Sequence, residues 1–317
     1  MTVRDFRDSR LTLTRLSLMD EAMNFEMWDL FFNILLFVLW FSLWQTASDK
    51  AFFNPYIGRV QRAGAAILGF VEPVFFGLSR RRIVLLALPF LFLFRAVLYR
   101  SVASAPQTHW RVAFGAVQGV LASTDSLATF FLLSLLSFAQ FLFVLWSLSL
   151  IYVRTRPSRA SAQGEAALHA FCLPFTLFRP DLRPFLLLGI GVFLSGTLFL
   201  AGGGHFIQAA GRIRIDSPAS GLVMLIVSSM LAWTDCLTVL LRLVIGLIIG
   251  SWVSMFAGSQ ELHSFCRDWL DFFLGPIRRY LLRIGMFDLS PILFFLAVQF
   301  VYAVLRSVLL GTLISLS

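Results

Sequence analysis

GPIRRYLLRIGMFDLSP, residues 275 to 291, lies between two long apolar runs and carries three arginines, two prolines and one aspartate. It can be read as a catalytic loop, a lipid-binding surface or the connector of a membrane hairpin. Just before it, Leu262, Phe265, Cys266, Trp269, Leu270, Phe273 and Leu274 recur at three- and four-residue spacing, with Glu261, Arg267, Asp268 and Asp271 on the other side. That pattern predicts an amphipathic helix lying on the membrane surface. Pro276 is expected to end it, because proline lacks an N–H and clashes with the preceding turn. Arg278, Arg279 and Arg283 then follow on a short segment, and Gly285 permits a turn. Asp288 or Ser290 can cap the next helix, with Pro291 inside its first turn, where a missing N–H costs nothing. Asp288 is the preferred cap.

Composition agrees with a connector between membrane spans. The chain is 58% hydrophobic and 14% charged, with mean hydropathy +0.83, far from the roughly 25% charged residues of soluble domains. A net charge of +9 would suggest nucleic acid in a soluble protein, but here the arginines lie between apolar runs and bear on orientation. The dispersed Cys172, Cys236 and Cys266 have neither metal nor redox spacing and read as buried thiols.

Six runs are long enough to cross a bilayer core about 30 Å thick: Trp28 to Gln45, Arg82 to Val102, Ser126 to Val153, Pro184 to Ala201, Leu222 to Phe256 and Pro291 to Thr312. The fifth exceeds one straight crossing and is expected to project, tilt or break near Trp233–Asp235. The short piece Val112 to Leu121 reads as a helical or interfacial lead-in. Basic residues concentrate in the connections after runs one (Lys50, Arg59, Arg62, Arg80, Arg81, Arg82), three (Arg154, Arg156, Arg159, Arg179, Arg183) and five (Arg267, Arg278, Arg279, Arg283). Those odd-numbered connections are therefore expected in the cytoplasm and both termini outside, although Arg4, Arg7, Arg10 and Arg15 in the N-terminal tail pull the other way. The first apolar run reads as an anchor and not as a cleaved leader.

Short matches recur at corresponding places. EPVFFGLSRR (72–81) resembles DFFLGPIRR (271–279), FRAVLYRSV (94–102) resembles VYAVLRSVL (301–309), and DLRPFLLLGIGVF (181–193) resembles DLSPILFFLAVQF (288–300). The expectation is an all-α polytopic bundle of about six transmembrane helices, arranged as three repeated hairpins with amphipathic interfacial connectors. Its units are a polar tail (1–27), a first hairpin (28–104), a second, divergent hairpin (105–220) and a third (221–317).

Asp235 and Arg242 are the charges expected inside the membrane. They share a helix face seven residues apart, and an intramembrane charge costs roughly 2.5 to 3.5 kcal/mol on insertion scales, which makes Arg242 a candidate for ion handling or for a structural pair. Arg95 and Arg306 are expected to snorkel to the interface. Gly246 and Gly250 form a small-residue packing face. No catalytic signature, phosphate loop or dinucleotide fingerprint is present, and His109, His169, His205 and His263 are too dispersed for a haem pair. Neither enzyme activity nor a cofactor or metal is expected.

Ser251-Trp252 at the end of the fifth run, then Pro276, Arg278 and Arg279, then Gly285, Asp288, Ser290 and Pro291 resemble the hairpin motif of the YggT (YlmG) family of bacterial and plastid membrane proteins. The likeness is specific over about the last 95 residues and looser in the first two units, which lack parts of the motif; Phe272 stands where the family usually has proline. The resemblance implies a multi-pass protein of the bacterial inner membrane, associated with cell division, the envelope or osmotic stress, and in plastid relatives with cytochrome maturation. The expected role is a non-enzymatic scaffold or assembly factor whose partners are anionic lipid headgroups and another membrane protein or a second copy. A small ion or solute transporter is the alternative, and help in haem-protein assembly a third.

Overall fold

The computed structural model describes residues 27–44, 54–74, 77–102, 110–121, 125–155, 162–201, 207–208, 211–212, 218–278 and 290–315. Six helices are long and apolar enough to cross a membrane. They occur in pairs joined by a shorter helix. The first set is α1 (Met27–Trp44), α2 (Pro55–Val71) and α3 (Arg80–Val102); the second is α4 (Leu127–Thr155), α5 (Ala162–Phe171) and α6 (Arg183–Ala201); the third is α7 (Pro218–Phe256), α8 (Gln260–Arg278) and α9 (Ser290–Ser315). Strands β1 (Trp110–Phe114) and β2 (Val117–Leu121) follow the first set, and β3 (Ile207–Gln208) and β4 (Gly211–Arg212) follow the second.

Of the alternatives expected for the fifth run, interruption does not occur and projection fits. Helix α7 is continuous over 39 residues, about 58 Å at 1.5 Å per residue. It therefore extends well past a 30 Å apolar layer, and α8 folds back along its end: Leu270 and Leu274 pack on Leu240, Leu241 and Val244. Gly258, with φ +68°, makes the reversal between the two helices, a left-handed position that glycine takes without steric cost.

Helix α8 also corrects two expectations. Its apolar stripe is turned onto the protein and not onto the bilayer, with Cys266, Leu270 and Leu274 buried, because the overhang of α7 supplies an apolar partner. The helix runs through Pro276 to Arg278. Proline disturbs the turn before it, while its own fixed φ suits a helix, so two more residues can follow. At the same end of the bundle α2 packs on α5, and α5 on α8, so the three connectors form one layer.

The segment 112–121 is no helical lead-in. It lies in the antiparallel β1–β2 hairpin, in which Phe114 pairs with Val117 across a two-residue turn. Gly115 has φ +59° and among the described residues no non-glycine residue has positive φ, the pattern of a turn with glycine in its first central position. The hairpin is set into the bundle. Val112, Phe114, Ala116 and Val117 are buried, the strands pack on α4, α6 and α7, and the Phe114 ring meets Phe143 edge-on at 5.0 Å. Ser228 of α7 holds the turn: its hydroxyl accepts from the Ala116 N–H at 3.1 Å and donates to the Phe114 carbonyl at 3.2 Å. Ser228 lies ten residues into α7, about 15 Å along it. Extended backbone at membrane depth is tolerated only inside protein, and the surrounding helices supply that enclosure.

A Cβ on Gly115 would fall 2.0 Å from the Ser228 carbonyl oxygen. Gly115→Val is therefore expected to lose at least about 2 kcal/mol, through the clash and the positive φ together. Unfolding in mixed micelles, followed by circular dichroism, should show a clear fall in midpoint. Gly246→Ala should not, since a Cβ there meets nothing within 4 Å.

Candidate functional site

Charge inside the bundle gathers in two places. In the first, Arg95 of α3 is fully buried, contrary to the expectation that it snorkels. Its guanidinium forms an ion pair with Asp29 of α1 and donates to the Asn33 side-chain carbonyl at 2.9 Å and to Ser137 Oγ of α4 at 2.9 Å. The Ser137 hydroxyl donates to Asp29 at 2.7 Å, and the Tyr99 hydroxyl reaches the same carboxylate at 3.4 Å. Arg95 also lies 5.4 Å from the Tyr99 ring centroid. An arginine seven residues from the end of α3 could reach the interface, but a carboxylate, an amide and a hydroxyl meet it inside the bundle, so the pair replaces water.

The second group joins α7 to α9. The Tyr302 hydroxyl donates to Asp235 at 3.3 Å and accepts from Arg306 at 2.6 Å, with the guanidinium 5.6 Å from the ring centroid. Arg306 is thus drawn along its own helix to Tyr302, and the expectation that it snorkels is not met. Asp235 and Arg242, although on one face of α7, are not brought together. Arg242 is exposed, and among the described residues no hydrogen bond or ion pair is recorded for it.

The two groups are variants of one arrangement. In each, an aspartate on the first helix of a hairpin is grouped with an arginine and a tyrosine four residues apart on the second, directly bonded to the arginine in the first group and linked to it through the tyrosine in the second. The matched stretches 94–102 and 301–309 place Arg95 opposite Tyr302 and Tyr99 opposite Arg306, so the residue types are exchanged while the spacing stays. Sequence reasoning missed Asp29, Asn33, Tyr99, Ser137 and Tyr302. The available signals were an acid and an amide four apart at the head of an apolar run, and Arg–Tyr pairs at the same interval.

The motif residues at the connector end are partly described. Ser251 Oγ contacts His263 Nδ1 of α8 at 3.3 Å, bracing the α7–α8 corner, and Trp252 is 61% exposed, as an interfacial tryptophan would be. Pro276 and Arg278 belong to the last turn of α8. Ser290 is buried and opens α9, with Pro291 next. Arg279, Gly285 and the preferred cap Asp288 lie outside the described residues. Gly250 packs closely, a Cβ there falling 3.1 Å from Cys266 Sγ, whereas Gly246 faces open space. The GxxxG pair thus serves packing at one position. The three cysteines are free and buried.

Connectors one and three are joined by Tyr56 of α2, whose hydroxyl donates to Asp268 at 3.0 Å and whose ring packs on Phe265 and Trp269 at 5.6 and 5.7 Å. Burial first, and then the bond to Asp268, push the phenol up to about 12.

Spans paired through short helices, with charges neutralised inside the apolar bundle, define a multi-pass helical membrane protein. Residues 224–309, in the C-terminal region of the chain, match the CCB3/YggT family. That region contains Asp235, Tyr302 and Arg306, whereas the Arg95 group lies outside it. No curated protein and no solved structure matches the chain.

Removing one partner of the buried pair should damage the fold more than removing both. Arg95→Met strands Asp29 and is expected to cost about 3 kcal/mol or more, and adding Asp29→Leu to recover much of it; denaturant titration in micelles compares them. For Tyr56 the folded pKa lies above its ordinary 10, so the contact is intact below pH 10 and is lost as the pH rises to about 12. Phenolate absorbance should show one tyrosine titrating late, absent in Tyr56→Phe.

Proposed function

We propose that the protein is a non-enzymatic membrane scaffold or assembly factor, and that it holds a membrane partner on the outer face of the α7–α9 hairpin. The observation that carries this reading is the contrast between the two charge groups. The Arg95 group is closed by a third helix, α4, through Ser137. Among the described residues the Asp235–Tyr302–Arg306 group has α7 and α9 alone, and Arg306 is exposed. Helix α9 buries 6% of its apolar window, against 44% in α3 and in α4. Arg306 is nine residues from the end of α9, about 13 Å along the axis, and a charge held at such depth is costly in hydrocarbon. A neighbouring helix that offers a hydroxyl or carboxylate would do for Arg306 what Ser137 does for Arg95. Arg242, also exposed, enlarges the polar face available to the same neighbour. Placement in a bacterial inner membrane, and service to an envelope, division or osmotic-stress assembly, belong to this reading through the family resemblance, and a cytoplasmic connector layer through the concentration of basic residues in the odd-numbered connections.

Cysteines introduced for Phe300, Val304 or Val308, all exposed on α9, are expected to form cross-links in native membranes, and Arg306→Leu to reduce their yield several-fold. Absence of any adduct would remove the scaffold reading. Proteoliposome flux that depends on Arg242 or Arg306 would replace it with transport.

A further inference from the structure

Where α1 ends, α2 crosses it and α3 begins, the structure encloses an open cavity of about 660 Å³. Its polar lining comes from Ser42 and Trp44 of α1, Gln61 and Arg62 of α2, and Arg80 and Arg81 in the first turn of α3. We propose that this cavity binds the phosphodiester headgroup of an anionic phospholipid.

Three features converge on that ligand. The first is charge: among the described residues three arginines and no carboxylate line the cavity, and guanidinium forks suit phosphate oxygens. Arg62 uses its Nε in a bond to the Gly58 carbonyl at 3.4 Å, which holds its position and leaves the terminal nitrogens to donate. The second is shape. Helix α2 lies so close to α1 that a Cβ on Gly64 would fall 2.8 Å from Ser42 Oγ; this crossing walls the cavity on one side, while Val84, buried, floors it. The volume lies within the roughly 300 to 1,000 Å³ of small-ligand sites.

The third is depth. The cavity opens at the level where two spans end, next to Trp44, a residue suited to the headgroup layer. One turn beyond Arg81 on the same side of α3, Leu85 is exposed, and with Leu43 and Trp44 it gives the cavity an apolar flank. A soluble phosphate would use the arginines alone, whereas a lipid places its acyl chains beside that apolar surface as well. Basic pockets at the ends of spans are a recognised form of headgroup site. This site is separate from the α7–α9 face and does not depend on the proposed role of that face.

The full chain, purified in a zwitterionic detergent, can be titrated with phosphatidylglycerol, phosphatidylcholine and soluble glycerol phosphate, with bound lipid counted by native mass spectrometry. Phosphatidylglycerol is expected to bind at least tenfold more tightly than phosphatidylcholine. Arg62→Gln with Arg80→Gln and Arg81→Gln should weaken it at least tenfold, while Arg267→Gln on α8 should not. Should the triple variant fail to fold, Arg62→Lys alone serves, because it keeps the charge and loses the fork; a measurable loss is expected. Equal retention of phosphatidylglycerol by wild type and variants would overturn the proposal. So would binding of glycerol phosphate as tight as that of the lipid, which would assign the cavity to a soluble anion.

Discussion

A guanidinium taken out of water keeps its charge, so Arg95 can occupy an apolar bundle only where acceptors are already arranged around it. That requirement ties the first hairpin to the second. Asp29 and Asn33 come from α1, Arg95 and Tyr99 from α3, and Ser137 from α4, so sliding any of the three helices would strand a charge. Around this fixed point the apolar surfaces follow: Leu36 and Leu39 meet Ile83, Val84 and Leu88, with Phe138 and Leu142 of α4 completing the cluster. Hydrophobic contact alone would tolerate many registers of such similar helices. The polar group selects one, which is the best-attested use of buried charge.

The third hairpin repeats the chemistry without the enclosure. Its aspartate, tyrosine and arginine are bonded in a chain, but no third helix supplies a counterpart of Ser137 among the described residues. The second hairpin has another arrangement again: Ser195 of α6 donates to Ser228 of α7 at 3.4 Å, and the space between the helices is taken by β1 and β2. One repeated plan of span, short helix and span thus carries three different polar interiors. The family match falls on the hairpin whose polar group is most open to its surroundings.

What could be read from the sequence was whatever depends on length and composition over twenty residues. The six spans and the helical character of residues 260 to 274 belong to this class. What could not be read depends on neighbours remote in sequence. Arg95 was expected at the interface because nothing near it in the chain announces Asp29, sixty-six residues earlier. The 112–121 segment was ambiguous because a ten-residue apolar piece with two glycines fits several conformations, and its hairpin is fixed by Ser228, over a hundred residues away. The stripe on α8 told correctly that one face is apolar, but periodicity cannot distinguish a lipid surface from the overhanging end of α7. Within residues 275 to 291, Gly275 to Arg278 close an amphipathic helix and Ser290-Pro291 begin a span.

The β1–β2 hairpin also constrains the order in which the chain can be assembled. Its unpaired outer edges cannot stand in lipid, so it has no stable place at membrane depth until α4, α6 and α7 surround it. All three of its supports, α4, α6 and α7, are made after it. The segment must therefore wait in water or at the headgroups while some hundred further residues are synthesised and inserted, and only then descend into the gap. Biogenesis of this protein is consequently non-sequential: a region early in the chain reaches its final depth late, and the membrane bundle closes around a piece that was never inserted as a span.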